Sequence, residues 1–127
     1  NYEGKAKAAV EALKEVDFVY LHIEASDEAG HEGNFELKTK TLEYLDQRVV
    51  KYIVEETAKM DEPVAIAILP DHPTPCKLRT HTHDPVPFLI YHPNYEADSV
   101  TTWDEDSVLE GGFGLMDAKD FMKTFLA

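Results

Sequence analysis

The chain has 127 residues, 43% of them hydrophobic, which is enough for one domain with its own core, residues 1–127, and argues against disorder. Its formal net charge is -13; so acidic a surface repels phosphate backbones and anionic lipid headgroups, which excludes nucleic acid and membranes as expected partners. The longest apolar runs are too short to cross a bilayer, and the single cysteine suits the reducing cytoplasm, where we expect the protein to lie.

The first half of the chain predicts two helices separated by a strand and a loop. Apolar residues at helical spacing predict a helix over residues 2–16, and the β-rich stretch that follows predicts a strand over residues 18–23. The glycines and small polar residues of "SDEAGHEGN" predict a loop. Asn34 is expected to cap a long helix over residues 35–59. The buried stripe of that helix is expected to comprise Leu42, Leu45, Val49, Val50 and Ile53.

The second half predicts two more strands and a last helix. "VAIAIL" at residues 64–69 is a continuous apolar run between two prolines, which is typical of a strand covered on both faces. "VPFLIYH" at residues 86–92 predicts a third strand, and an amphipathic helix is expected to begin near Asp117. Strand, helix and strand in this order form a right-handed βαβ unit by default. We therefore predict an α/β fold in three layers with a mixed, mostly parallel sheet.

Acids and imidazoles stand beside the ends of the predicted strands. Asp27 and His31 follow the first strand, and Asp71 and His72 follow the second, where ligands gather in parallel sheets. His81 precedes the third strand, so it reaches the same edge only if that strand runs antiparallel to the others. Carboxylate and imidazole donors suit Mn²⁺, Zn²⁺ or Mg²⁺. Two such ions would clamp a phosphoryl group and supply the positive charge that this chain lacks.

Ordinary hydrogen bonding is the competing explanation for the same residues. Asp27 would suit an Asx-turn, and His72, between an acid and a proline, would suit a tight turn. His83 is interpreted as a surface turn residue and Cys76 as a small buried thiol. A non-enzymatic module whose acids and histidines are structural therefore stays open. No phosphate-binding lysine loop and no Gly-x-Ser-x-Gly elbow occurs, so the sequence predicts no nucleophile.

Three motifs together resemble the cofactor-independent phosphoglycerate mutases of the archaeal-type branch, within the alkaline phosphatase superfamily. The motifs are Asp-x-x-x-His in "DEAGH", Asp-His in "LPDHPTP" and His-x-x-x-Pro-x-Pro in "HTHDPVP". The resemblance extends over residues 2–126 and implies an alkaline-phosphatase-like core segment. It implies that Asp27, His31 and His81 hold one divalent ion. Asp71 and His72 would hold a second.

The resemblance also implies a reaction, the interconversion of 3-phosphoglycerate and 2-phosphoglycerate in glycolysis through a phosphoserine. Mn²⁺ is the favoured metal, with Zn²⁺, Mg²⁺ and Co²⁺ as alternatives. The family's nucleophilic serine and its inserted substrate-binding domain have no match in this sequence. We therefore expect this chain to be the C-terminal, metal-binding part of a larger phosphatase-like catalytic domain. It is expected to contain no catalytic residue of its own and to be inactive alone. It is also expected to self-associate through exposed surface.

Two further enzyme classes stay open beside the mutase. One is a metal-dependent phosphatase of the same superfamily, in which water takes the phosphate. The other is a phosphotransferase for another small metabolite, as in the homoserine kinase assignments made within this branch.

Overall fold

Five α-helices, two short strands, a π-helical turn and a 3₁₀ turn make up the regular structure of the computed structural model, which describes all of residues 1–127. The helices are α1 (Tyr2–Leu13), α2 (Ala25–His31), α3 (Phe35–Leu45), α4 (Lys51–Thr57) and α5 (Ala118–Leu126). The strands are β1 (Ile66–Ile68) and β2 (Leu89–Tyr91). None of the helices is both long enough and apolar enough to cross a membrane.

The chain divides into two compact units. Unit 1 comprises Asn1–Glu62 and Thr74–Thr82, and unit 2 comprises Pro63–Pro73 and His83–Ala127. Each unit is described by itself below. A single domain over residues 1–127 stays a prediction.

Unit 1 is helical. α1 confirms most of the first predicted helix and buries Ala6, Ala9 and Val10, at the spacing that puts side chains on one helix face. That face packs against α4 and the turn that precedes it, while α2 packs against α3. The small side chains on α1 allow the helices to approach closely, so the core of this unit is thin.

The segment at residues 18–23 has no regular secondary structure, so the predicted first strand was wrong. A strand needs a neighbour whose N–H and C=O groups complete the ladder, and the sheet of this chain contains only β1 and β2. Tyr20 in this segment is 75% exposed. Consequently, neither the parallel βαβ unit nor the three-layer arrangement is confirmed.

The predicted loop after that segment was also wrong, because most of it is helix α2. The stretch "SDEAGHEGN" contains two glycines, which favoured a loop, yet of these two only Gly33 adopts the left-handed backbone (φ 69°) that glycine permits. Gly30 is buried within α2 against Thr74. Its role is close packing rather than chain reversal, and the sequence pattern does not distinguish these two uses.

The long helix was predicted well except at its middle. Asn34 caps α3, since its side-chain Oδ1 accepts a hydrogen bond from Leu37 N at 2.9 Å. A π-helical turn over Asp46–Val50 joins α3 to α4 and shifts the faces that regular helical spacing would align. Val49 is buried as predicted, but Leu42 is 49% exposed.

Unit 2 contains the sheet. β1 and β2 pair antiparallel with Ile66 opposite Tyr91, which confirms the predicted direction of the last strand. The residues of β1 are only half-buried, so the expectation that both its faces are covered was wrong. Asp117 begins α5 as predicted, accepting a hydrogen bond from Lys119 N at 3.2 Å.

Candidate metal centre

Three of the predicted ligands, Asp27, His31 and His81, lie together in unit 1. Asp27 and His31 are four residues apart on α2, which places them on one face a turn apart. His81 comes from the segment Thr74–Thr82, which returns to α2. One ligand atom from each side chain lies within 4.8 Å of those of the other two.

The separations between these atoms fit ligands of a single metal ion. His31 Nε2 lies 3.0 Å from His81 Nε2 and 3.3 Å from Asp27 Oδ2, and His81 Nε2 lies 3.2 Å from Asp27 Oδ1. Two ligands at about 2.1 Å from one ion, at tetrahedral or octahedral angles, are about 3.0–3.4 Å apart. The three side chains are between 35% and 48% exposed, which gives an ion access from solvent.

A backbone carbonyl orients one of the imidazoles. His31 Nδ1 lies 3.2 Å from the carbonyl oxygen of Arg79, which accepts hydrogen bonds and does not donate them. The contact therefore requires a proton on Nδ1, and in the neutral ring the lone pair of Nε2 then faces the cluster. Arg79 adopts the left-handed backbone conformation (φ 55°), which is uncommon for a residue with a side chain.

Sequence reasoning missed one residue of this cluster, Thr74. Its hydroxyl donates a hydrogen bond to Asp27 Oδ1 at 2.6 Å, and the residue is only 4% exposed. The signal available in the sequence was weak: a hydroxyl residue between two prolines, two positions after the Asp-His motif. Spacing alone does not reveal that this segment returns to α2.

Asp71 and His72 belong to unit 2. His72 Nε2 lies 3.4 Å from Asp71 Oδ2, and the backbone N–H of His72 donates to Asp71 Oδ1 at 3.0 Å. These contacts are what we expect if Asp71 and His72 only form hydrogen bonds in a turn, and both side chains stay partly exposed. Their role as ligands of a second ion stays a prediction.

His83 and Cys76, which we did not predict to be metal ligands, differ in their surroundings. His83 is exposed. Cys76 is half-buried and lines an open, mostly apolar cavity in unit 1 together with Phe35 and Leu42 from α3. Neither side chain belongs to the candidate metal-binding group of Asp27, His31 and His81.

Comparison with known proteins gives consistent matches along the whole chain. A family model described as the Metalloenzyme superfamily matches residues 1–127. A 2,3-bisphosphoglycerate-independent phosphoglycerate mutase from Methanosarcina mazei is 52% identical over 123 residues, which are 96% of this chain and 31% of that protein. The protein of the same name from Methanothrix thermoacetophila is 46% identical over 127 residues, which are 100% of this chain and 32% of that protein.

A solved structure is also similar. It is that of a Pyrococcus horikoshii protein, with a TM-score of 0.92 and 37% sequence identity, covering 99% of this chain and 37% of the other. The chain thus spans about a third of the length of the curated relatives that it matches.

Proposed function

The chain belongs to the Metalloenzyme superfamily, and on that basis we propose that it is the metal-binding portion of a 2,3-bisphosphoglycerate-independent phosphoglycerate mutase. Membership in the superfamily implies the use of divalent metal ions. The observation that carries the proposal is the cluster of Asp27, His31 and His81, whose ligand atoms have the separations of a single-ion site. Relatives named as this mutase, 40–52% identical over almost the whole chain, support the reaction class.

Each proposed ligand has a definite part. Asp27, His31 and His81 hold one divalent ion, and Asp71 and His72 contribute to a second. Mn²⁺ is the metal that the family resemblance favours, and Zn²⁺, Mg²⁺ and Co²⁺ are alternatives, because oxygen and imidazole donors suit all four ions. When bound, such ions supply positive charge to a phosphoryl group and its attacking and leaving oxygens.

The charge of the chain explains why such ions are needed for the proposed substrate. Phosphoglycerate is anionic, whereas this chain has a formal net charge of -13. Asp27 places one of these negative charges at the centre, and the hydrogen bond from His31 to Arg79 O keeps one imidazole lone pair directed at the cluster. The protein groups thus favour a cation between them, and an anionic substrate would be repelled from the same place without it.

The proposed reaction is the glycolytic exchange of phosphate between the 3- and 2-hydroxyls of glycerate, in the cytoplasm. We place its nucleophilic serine outside these 127 residues. Among the serines here, Ser107 begins the 3₁₀ turn Ser107–Glu110, and its hydroxyl donates a hydrogen bond to Asp104 Oδ2 at 3.0 Å. The isolated chain is therefore expected to bind metal without catalysing the reaction.

Calorimetric titration with Mn²⁺ tests the metal site directly. We expect saturable binding by this chain, loss of that binding in His81→Ala, and unchanged binding in His83→Ala. The last variant is a matched control, because His83 is an exposed histidine only two residues further along. A wild-type chain that takes up no Mn²⁺ would contradict the site, and equal losses in both variants would contradict the assignment of His81.

The reaction class is tested in a chimera, in which this chain replaces the matching segment of the Methanosarcina mazei relative. With 3-phosphoglycerate the chimera should form 2-phosphoglycerate, and the isolated chain should not. Mutase turnover by the isolated chain would contradict the proposed absence of a catalytic nucleophile. Release of inorganic phosphate by a folded chimera, without isomerisation, would favour a phosphatase instead.

A further inference from the structure

We propose that Thr74 is a positioning residue of the metal centre, whose hydroxyl holds the carboxylate of Asp27 towards His31 and His81. The inference rests on the proposed metal-binding function and extends it to a residue outside the ligand set. Metal ligands in proteins are commonly fixed by hydrogen bonds from neighbouring groups, and losing one such partner typically weakens metal binding by about 10–100-fold.

The hydrogen bond has the character of an orienting contact. Its length of 2.6 Å lies in the short range expected when a hydroxyl donates to an ionised carboxylate. The oxygen it contacts, Asp27 Oδ1, is also the one 3.2 Å from His81 Nε2, and Asp27 Oδ2 faces His31 Nε2 at 3.3 Å. Fixing Oδ1 therefore sets the rotation of the whole carboxylate, and with it the direction of both oxygens.

Thr74 is itself held from two sides. The ammonium group of Lys38 on α3 donates a hydrogen bond to the carbonyl oxygen of Thr74 at 2.7 Å. On α2, Gly30 lies so close that an added Cβ would lie 2.9 Å from Thr74 Cγ2 and nearer still to the carbonyl oxygen. Prolines on both sides in sequence restrict the backbone, and the β-branched side chain has few rotamers. A donor anchored in this way loses little freedom when it binds Asp27.

A purely structural role for this hydroxyl makes a different prediction. A buried hydroxyl needs a partner, and Asp27 satisfies it whether or not a metal ever binds. In that case removing the hydroxyl would change the stability of the chain and leave metal affinity untouched in the folded protein. Metal affinity measured on folded variants therefore separates the two roles.

The test is Mn²⁺ titration by calorimetry on wild type, Thr74→Val and Thr74→Ser, with far-UV circular dichroism to verify folding. Valine keeps the branched shape without the hydroxyl, and serine keeps the hydroxyl without the methyl group. We expect Thr74→Val to raise the Kd for Mn²⁺ by about 10–100-fold and Thr74→Ser to restore most of the affinity. If valine prevents folding, Thr74→Ala against Thr74→Ser gives the same comparison, since both lack the methyl group.

The outcomes distinguish this inference from the function on which it rests. Equal Mn²⁺ affinity in wild type and Thr74→Val, or in the alanine and serine variants, would overturn the positioning role and leave the metal site standing. Absence of binding in the wild type would instead overturn the site, and the inference with it. Loss of binding in His81→Ala serves as the reference for an abolished site.

Discussion

Arg48 and Glu3 form a bidentate ion pair that joins the π-helical turn to α1. Arg48 Nε lies 2.5 Å from Glu3 Oε1, and Arg48 Nη2 lies 2.9 Å from Glu3 Oε2. The guanidinium also lies over the rings of Tyr2 and Tyr44, 4.9 Å and 5.1 Å from their centroids. Such paired geometry orders a surface contact more than a single ion pair does, so we expect it to help fix α1 on the long helix.

We expect this ion pair to make the stability of unit 1 depend on pH. The hydrogen bonds from Arg48 lower the pKa of Glu3 from 4.5 to about 2. A carboxyl group whose pKa is lower in the folded state stabilises the fold above its unfolded pKa, and this contribution is lost as the pH falls towards the folded pKa. We therefore expect Glu3→Gln to lower the Tm at pH 7, and the Tm difference from wild type to shrink between about pH 4.5 and pH 2.

Thermal unfolding followed by far-UV circular dichroism across this pH range measures the effect. Glu15→Gln, a change at an exposed acid nearby in sequence, serves as the control and should show a smaller Tm difference. Salt should reduce the effect of Glu3→Gln, because the pair is open to solvent. A Tm difference that is the same at pH 7 and pH 2 would contradict the role given to the Glu3 carboxylate.

The cap at the start of α3 gives a second prediction. Because Asn34 Oδ1 satisfies the otherwise unpaired N–H of Leu37, Asn34→Ala should lower the free energy of unfolding by about 1 kcal/mol, within a range of about 0.5–2. Asn34→Asp keeps an acceptor and adds a negative charge at a helix N-terminus, so it should retain most of the stability. Urea unfolding of both variants tests this, and equal losses in the two would argue against a capping role.

Features set by neighbouring residues were the ones that the sequence predicted best. The caps Asn34 and Asp117 each depend on hydrogen bonds to N–H groups two or three residues away, and both are present. Residues 18–23 have the composition of a strand, but a strand exists only when another pairs with it, and that depends on distant parts of a polypeptide. Composition therefore indicated a segment able to form a strand, but it did not determine whether a partner strand is present.

The candidate site shows the same division. The motif resemblance named Asp27, His31 and His81 together, and their ligand atoms do lie together. The predicted reason was different, since α2 rather than a loop presents two of them. Thr74 went unnoticed because its contact with Asp27 spans 47 positions in sequence and a lone threonine carries no motif.

The close approach of α2 to Thr74 gives a third prediction, for Gly30→Ala. The added methyl group would clash with the backbone carbonyl oxygen of Thr74. Because a backbone atom cannot move aside as a flexible side chain can, either α2 or the segment Thr74–Thr82 must shift. Overpacking of this kind typically costs about 1–3 kcal/mol, more than the roughly 0.5–1 kcal/mol that alanine contributes over glycine inside a helix. We expect a net loss of stability in urea unfolding.

Gly112→Ala, at a glycine in a turn outside the helices, is the control for the close contact. An added Cβ there would make only ordinary contact, 3.7 Å from Asp98 Oδ2, so a small change is expected. Displacement of Thr74 should also weaken Mn²⁺ binding by Gly30→Ala, because Thr74 would no longer align with Asp27. A Gly30→Ala chain as stable as wild type would show that α2 and Thr74 do not pack as closely as described.

Metal binding should appear as added stability, which gives the last prediction. An ion that binds the folded chain and not the unfolded one, at a free concentration a hundredfold above its Kd, raises the free energy of unfolding by about 2.7 kcal/mol. We therefore expect Mn²⁺ to raise the Tm of this chain and a chelator to reverse the rise. Asp27→Asn, which removes the only carboxylate of the cluster, should abolish the Mn²⁺-induced rise, whereas Asp61→Asn, at an exposed acid outside the cluster, should keep it. A similar rise of the Tm in both variants would mean that Mn²⁺ stabilises the chain by binding its many acidic side chains unspecifically rather than by binding Asp27.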